Sequence, residues 1–391
     1  MMRCALVHDW LTGMRGGEKV LELLCEIFPD ADLYTMVHVP GSVSPAIERR
    51  RIVTSWLNRI PFAGAGYRSL LPLMPRAAER MKVSGYDLVV ATSHCVAHGV
   101  TVSPGSRFVC YCLTPMRYAW GMLETYAARR RWDVRTHVLR WLQPRLQRWD
   151  RRAAARVPEY VATCENVRQR IRDCYGRDAK VIYPPVDTAF FTPSENGRRE
   201  SYLWVGALAP YKRVDLLLEA FRRLDRPLTV IGAGQDLAWA RRHAPRNVKL
   251  LGWQPDEVLR EHYASCRAMV FPGEEDFGLT PLEAQACGRP VIAYAKGGAL
   301  ETVVDPECAG YGARPECAGY GARLDGGRGE PTGVLFREPT AESLVQAVQR
   351  FERTEQAFVP AAIRNHALKF DRERCREALR DYLLGDALTK C

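Results

Sequence analysis

Short apolar runs rich in Val, Ile, Leu and aromatic residues recur along this chain between longer stretches of mixed polarity. In the first half they are CALVH (4–8), YDLVVAT (86–92), FVCYCL (108–113), YVATC (160–164) and VIY (181–183). In the second half YLWVG (202–206), LTVIG (228–232), VKLLG (248–252), AMVF (268–271), VIAY (291–294) and GVLF (333–336) repeat the rhythm. Runs this short and this apolar read as buried strands, and their alternation with helical segments predicts right-handed βαβ crossovers and parallel sheets. Two series predict two Rossmann-like, doubly wound α/β domains. Between them YPPVDTAFFTPSENGRRES (183–201) interrupts all periodicity with Pro, Ser, Asn and Gly, and reads as a linker. The expected division is 1–184, 185–368 and a terminal segment 369–391. Facing sheets of this kind put the carboxyl ends of both strand sets, where α/β folds bind ligands, across a central cleft.

The length of 391 residues suits two or three domains, and 47% hydrophobic content is enough for real cores. No run approaches the ~20 apolar residues of a membrane-spanning helix, and MMRCALVHDW lacks the h-region and cleavage site of a signal peptide. A soluble, cytoplasmic protein is expected. Thirteen cysteines occur without a C-x-x-C pair and read as reduced core thiols, and the eight histidines supply no zinc spacing, so no metal and no cofactor are expected.

Net charge is +11, unevenly spread: residues 51–185 hold 23 Lys and Arg against 9 Asp and Glu, whereas 251–391 hold 17 against 22. Of the 56 basic residues 48 are Arg, a preference that codon bias explains as readily as phosphate recognition does. Within 128–156 lie ten Arg and three Trp. Val138, Leu142, Leu146 and Trp149 fall on one helical stripe, which Pro144 is expected to kink or divide. Two readings stay open: a core-packed helix with a basic outer face, or a membrane-surface element in which Arg129, Arg130, Arg131, Arg140 and Arg148 meet anionic headgroups at the inner face of the cell membrane. Nucleic acid is not an expected partner, since no recognised module accompanies the charge. The tandem repeat PECAGYGAR (306–314 and 315–323) is too short for a solenoid and reads as a duplicated surface loop without function.

Candidate chemistry concentrates in FPGEEDFGLTPLEAQACG (271–288), which follows a predicted strand and ends in a predicted helix. Glu275 falls in the loop and Glu283 early in the helix. The amides of Phe277, Gly278, Leu279 and Thr280 precede or open that helix, at a positive dipole end suited to an anion. Glu283 could instead merely cap its helix. Lys212 and Arg213 sit in the turn APYKR after the strand that ends at Gly206. A glycine loop, GMRGGE (13–18), places Gly16 and Gly17 before a helix expected to begin near Glu18, where positive φ and close backbone approach would suit a phosphate.

The spacing of Glu275 and Glu283 resembles the E-x7-E pattern of glycosyltransferase family 4, retaining enzymes of GT-B architecture. GGALETV (297–303), WVGALAPYKRVDLLLEAF (204–221), VIGAG (230–234), LGWQPDEVL (251–259), YPPVDTAFF (183–191) and HDWLTGMRGGEKVL (8–21) resemble the family's blocks in its order. The resemblance implies a GT-B glycosyltransferase that moves a sugar, with mannose from GDP-mannose a specific expectation, from a nucleotide sugar to a saccharide or lipid-linked acceptor in surface-polysaccharide synthesis. It implies that Glu283 binds ribose hydroxyls, Glu275 contacts the sugar, and Lys212 with Arg213 supports the diphosphate. The resemblance further implies that Gly16, Gly17, Gly206, Phe277, Gly278, Leu279 and Thr280 bind the donor, and that the last helix crosses back to the first domain. Two positions depart from the pattern. Ala207 stands where many family members have arginine, and Leu113 where relatives carry a histidine near the donor sugar. Both favour one alternative, a non-catalytic GT-B partner protein, which the intact Glu275, Glu283 and Lys212 oppose; a second alternative is a sugar-nucleotide epimerase on the same architecture.

Overall fold

A computed structural model describes residues 2–121, 134–194, 200–309 and 330–388. The chain forms two compact units, Met1–Pro185 with Cys375–Cys391, and Val186–Arg374.

Unit 1 contains strands β1 (Cys4–His8), β2 (Asp32–Thr35), β3 (Ile52–Thr54), β4 (Lys82–Val83), β5 (Leu88–Ser93), β6 (Thr101–Val102), β7 (Arg107–Cys112), β8 (Glu159–Ala162) and β9 (Lys180–Val181). Seven form one sheet in the order β3-β2-β1-β5-β7-β8-β9, every ladder parallel, while β4 and β6 pair apart from it. The registers His8↔Thr92 and Ser93↔Cys112 bring β1, β5 and β7 to nearly level carboxyl ends, so Asp9, His94 and Leu113 emerge on one edge. β2 and β3 are additions to the sequence expectation. DLYT is half-polar and alternates in burial, and IVT is only three residues long, so neither carries the continuous apolar run that marks β1 or β5.

Unit 2 carries β10 (Tyr202–Val205), β11 (Leu228–Ile231), β12 (Val248–Gly252), β13 (Met269–Phe271), β14 (Val291–Tyr294) and β15 (Gly333–Phe336), in the parallel order β12-β11-β10-β13-β14-β15. Each coincides with a run read from the sequence. One face packs Trp204, Leu217, Phe221 and Val230 against Leu344, Val348 and Phe351, and the other buries Phe191, Tyr263, Phe271 and Ala284.

Half of the expected linker is not loose. Val186 bridges Asp371, Thr188 donates its hydroxyl to the Asp371 carboxylate, and Phe191 is fully buried in unit 2. The apolar residues within VDTAFF explain this, since burying such rings outweighs the punctuation around them. Residues 195–199 lie outside the described set. The closing helix, Arg372–Leu388, buries Cys375, Leu379 and Leu383 in the unit 1 core with Leu6, Leu24 and Tyr111. Arg107 donates to the carbonyls of Tyr382 and Leu383 and pairs with Glu159, which also accepts from the Tyr382 hydroxyl.

The basic helix runs unbroken from Val134 to Ala155, so Pro144 does not divide it. Leu146 and Trp149 are buried as expected, and Leu142 is half-buried. The side chain of Val138 and residues 122–133, with Arg129, Arg130 and Arg131, lie outside the described residues, as do residues 310–329 and with them most of the duplicated loop. Among the described residues no helix is long and apolar enough to cross a membrane.

Candidate functional site

Adjacency of β10 and β13 brings their following loops together in unit 2. Gly273 makes this possible: a Cβ there would lie 2.7 Å from the Tyr211 carbonyl oxygen and 2.8 Å from Lys212 Cα. Lys212 ends the short turn Pro210–Lys212, and its ammonium forms an ion pair with Glu275 Oε1. The two side chains retain only 11% and 15% of their surface, so they meet largely out of water. The Lys212 ammonium also lies 5.8 Å from the Phe271 ring centroid, and a Cβ at Gly206 would lie 3.8 Å from Lys212 Cε. Arg213 is not drawn into this pair. It adopts a left-handed conformation (φ +54°) and turns to Asp215 at 3.3 Å. Ala207, beside Gly206, is exposed.

The Glu275 loop is fastened from behind. Gly298 donates its amide to the Glu275 carbonyl at 2.9 Å, and Gly297 at φ +66° would place a Cβ 2.2 Å from that oxygen, so only glycine fits. The following helix is Leu279–Ala286, capped by Gly278 at φ +91°. Leu279 and Thr280, both partly exposed, supply its first free amides, whereas Phe277 is buried and packs edge-on against Phe370 at 5.8 Å. Glu283 does not cap this helix. It lies at its fifth residue with 5% exposure, and its Oε2 accepts from the Tyr263 hydroxyl at 2.9 Å. Burial, then the facing Glu283 carboxylate, pushes the Tyr263 phenol well above its ordinary pKa, so it stays a donor.

In unit 1 the helix after β1 runs Gly16–Ile27, starting two residues before Glu18. Gly16 and Gly17 take ordinary helical backbone; the positive φ in the loop belongs to Gly13. What Gly17 provides is room, since a Cβ there would stand 2.7 Å from Leu113 Cδ1 and 3.6 Å from His8 Cε1. Leu113 follows β7 by one residue and donates its amide to the Ser93 carbonyl.

Sequence reasoning passed over the polar groups on this edge. Asp9 is completely buried and accepts four amides: His94 (2.7 Å) and Cys95 (3.1 Å) on Oδ2, Val96 (2.6 Å) and Ala97 (2.7 Å) on Oδ1. Its Oδ2 also lies 3.0 Å from His94 Nδ1. Burial alone would raise its pKa, but the His94 charge and hydrogen bond hold the carboxyl well below the usual range. Beside it, buried His8 hydrogen-bonds Thr92 through Nδ1 at 2.6 Å and faces Glu18 at 3.6 Å through Nε2. Burial would raise the Glu18 pKa too, and the His8 contact lowers it. The available signal was positional: polar residues at the ends of two central strand runs, HD after CALV and SH after LVVAT.

Nearby, Ser93 Oγ lies 3.1 Å from His98 Nδ1, and His98 Nε2 3.2 Å from Asp150 Oδ1, a Ser-His-Asp connectivity. All three are buried, and Asp150 also accepts from Trp120 (2.6 Å) and Tyr175 (2.8 Å). With the serine inaccessible the chain of contacts serves to tie the helix Val134–Ala155 to the sheet rather than to attack a substrate.

Two family models match this chain, one described as glycosyl transferases group 1 over residues 186–368 and one as glycosyltransferase family 4 over 14–190. The chain belongs to glycosyltransferase family 4. A D-inositol 3-phosphate glycosyltransferase of Geodermatophilus obscurus is 34% identical over 192 residues, 40% of this chain and 42% of that protein. A GDP-mannose-dependent alpha-(1-6)-phosphatidylinositol monomannoside mannosyltransferase of Mycolicibacterium smegmatis is 31% identical over 169 residues, 35% of this chain and 44% of the relative. The family 4 chain therefore matches less than half the length of these relatives. Among solved structures, Anabaena HepE in complex with UDP and glucose superposes with a TM-score of 0.67 at 18% identity, over 98% of this chain and 99% of the other. Sucrose-phosphate synthase of Thermosynechococcus elongatus gives 0.70 at 16% identity over 100% of both. These structures establish the GT-B fold.

Proposed function

We propose that this family 4 chain is a hexosyltransferase that moves a sugar, with retention at the anomeric carbon, from a nucleoside diphosphate sugar to a hydroxyl of a saccharide or lipid-linked acceptor in polysaccharide synthesis. The observation that supports it most is the largely dehydrated Lys212–Glu275 pair at the carboxyl ends of β10 and β13, the end where α/β sheets take ligands. In this reading Lys212 carries the charge of the departing diphosphate, Glu275 holds the sugar hydroxyls, and Glu283 accepts from the ribose. Leu279 and Thr280 offer first-turn amides. The acceptor oxygen bonds to the anomeric carbon as the carbon–oxygen bond to the diphosphate breaks on the same face, and the acceptor proton passes to the diphosphate. The protein contributes position and charge, and no metal enters the scheme. Mannose from GDP-mannose is the donor we favour, in line with the named mannosyltransferase relative. The deciding experiment is a panel of nucleotide sugars, scored for nucleoside diphosphate release. Release that rises only when acceptor is added supports transfer, whereas release of none, or epimerised donor, overturns it.

Glu283→Gln is expected to weaken nucleoside diphosphate binding roughly tenfold to a hundredfold by calorimetry, the value of one hydrogen bond to a charged group. An unchanged affinity would remove Glu283 from the donor site.

The same reading places the protein at a membrane surface. Trp141, 64% exposed, and the exposed Arg145, Arg148 and Arg152 stand at i, i+4, i+7 and i+11, one exposed stripe. Each arginine near an anionic surface is worth about 1 kcal/mol. Replacing Arg145, Arg148 and Arg152 by Gln should abolish sedimentation with phosphatidylserine vesicles while leaving thermal stability intact. Equal binding to neutral and anionic vesicles would refute the electrostatic contact.

A further inference from the structure

We propose that His94, held by Asp9, is the residue of unit 1 that hydrogen-bonds a hydroxyl of the substrate saccharide; this rests on the glycosyl-transfer reading above. Three observations lead to it. Asp9 lies completely buried and accepts four backbone amides, so its carboxylate stays charged and fixed in place. Its Oδ2 stands 3.0 Å from His94 Nδ1, so the carboxylate holds that edge of the ring toward itself and leaves the Nε2 edge turned away from it. Trp10 fixes the ring plane from the side, edge-on at 4.5 Å between centroids.

The second observation concerns exposure. His8, Thr92 and Glu18 around it are buried, yet the His94 side chain keeps 29% of its surface open, with Nδ1 itself covered. The open part of the ring is the side away from Asp9. The third is place. His94 follows β5, flanked in the sheet by β1 and β7, so it stands at the carboxyl edge beside Leu113, which has no hydrogen-bonding group to offer. A charge-held imidazole half-open at the ligand edge, next to an apolar wall formed by Leu113 over Gly17, is suited to read one hydroxyl among several. A purely structural histidine would have no need of the open edge.

The full chain is tested in two ways. First, the His94 ring Cε1–H resonance is followed by NMR during titration with GDP-mannose, UDP-glucose and octyl mannoside, each beside the matching nucleoside diphosphate or octanol. The sugar-bearing ligand that binds should shift His94 saturably, leave buried His98 unmoved, and exceed the effect of its sugar-free control. Second, kinetics compare parent and monodeoxy donors and acceptors in wild type, His94→Phe and His94→Gln. Wild type should discriminate against one deoxy compound roughly tenfold to a hundredfold. His94→Phe should treat that compound and its parent alike, and His94→Gln should restore part of the difference. A deoxy donor as the sensitive compound locates the hydroxyl on the donor, and a deoxy acceptor locates it on the acceptor. Binding or transfer with His94 unshifted, or with discrimination unchanged in His94→Phe, overturns this proposal alone. No binding by any nucleotide sugar overturns the transfer reading, and this proposal with it.

Discussion

Lys212→Ala is expected to lower turnover by about 10²–10³-fold, the loss typical when one preorganised group facing developing negative charge is removed. On the proposed reaction the variant loses the cation for the leaving diphosphate, and in any case it strands Glu275 in a poorly hydrated place, with only 15% of its surface open. Breaking such a pair from one side costs about 3–5 kcal/mol when fully buried, and somewhat less here because both groups keep some water. Melting temperature and kcat should therefore fall together. Glu275→Gln separates the two effects. It keeps the shape but leaves Lys212 without its carboxylate, so nucleoside diphosphate should bind more tightly while turnover drops. Weaker diphosphate binding in Glu275→Gln would mean that the pair only braces the two loops, and the donor-site assignment would fail.

Asp9→Ala should be the most destabilising single substitution in unit 1. It removes the acceptor for the amides of His94, Cys95, Val96 and Ala97 at once, and each buried donor left unmade costs about 1–3 kcal/mol. A loss above about 5 kcal/mol falls in the range that marks a broken buried network, against total stabilities of about 5–15 kcal/mol. Urea unfolding of the purified chain measures it, and a shift below about 1 kcal/mol would show that the cradle is replaceable. Acid titration adds a second check. Because the folded Asp9 carboxyl lies below its ordinary value, its contribution is complete above about pH 4 and is lost as pH falls from there through the depressed folded value. Asp9→Asn should flatten that part of the stability curve.

The architecture was largely legible because its evidence is local. Strands apolar on both faces announce themselves within a few residues, and all six strands of the second sheet lie where the runs VIAY, GVLF and their counterparts placed them. β2 and β3 escaped because half-buried, short strands lack that run, and VDTAFF read as linker because prolines and polar residues surround an aromatic pair that folds inward. The helix Gly16–Ile27 began earlier than expected because Gly16 and Gly17 serve as helical residues, and Gly17 admits Leu113, a contact between segments nearly a hundred residues apart that no local pattern encodes.

Local pattern along the chain sets the two parallel sheets, the loop-then-helix setting of Glu275 and Glu283, and the basic turn that bears Lys212. Which of these groups meet depends on long-range packing. Lys212 and Glu275 are 63 positions apart and pair because β10 and β13 are neighbours in the sheet. Glu283 turns to Tyr263 and Arg213 to Asp215, pairings that nothing in the spacing specifies. Asp9 reaches the amides of residues 94–97 because β1 and β5 run side by side. The physical reason is common to all of them. Parallel crossovers return every strand to the same edge, so chemistry gathers there by strand order, which is set by packing across the whole unit and not by distance along the chain.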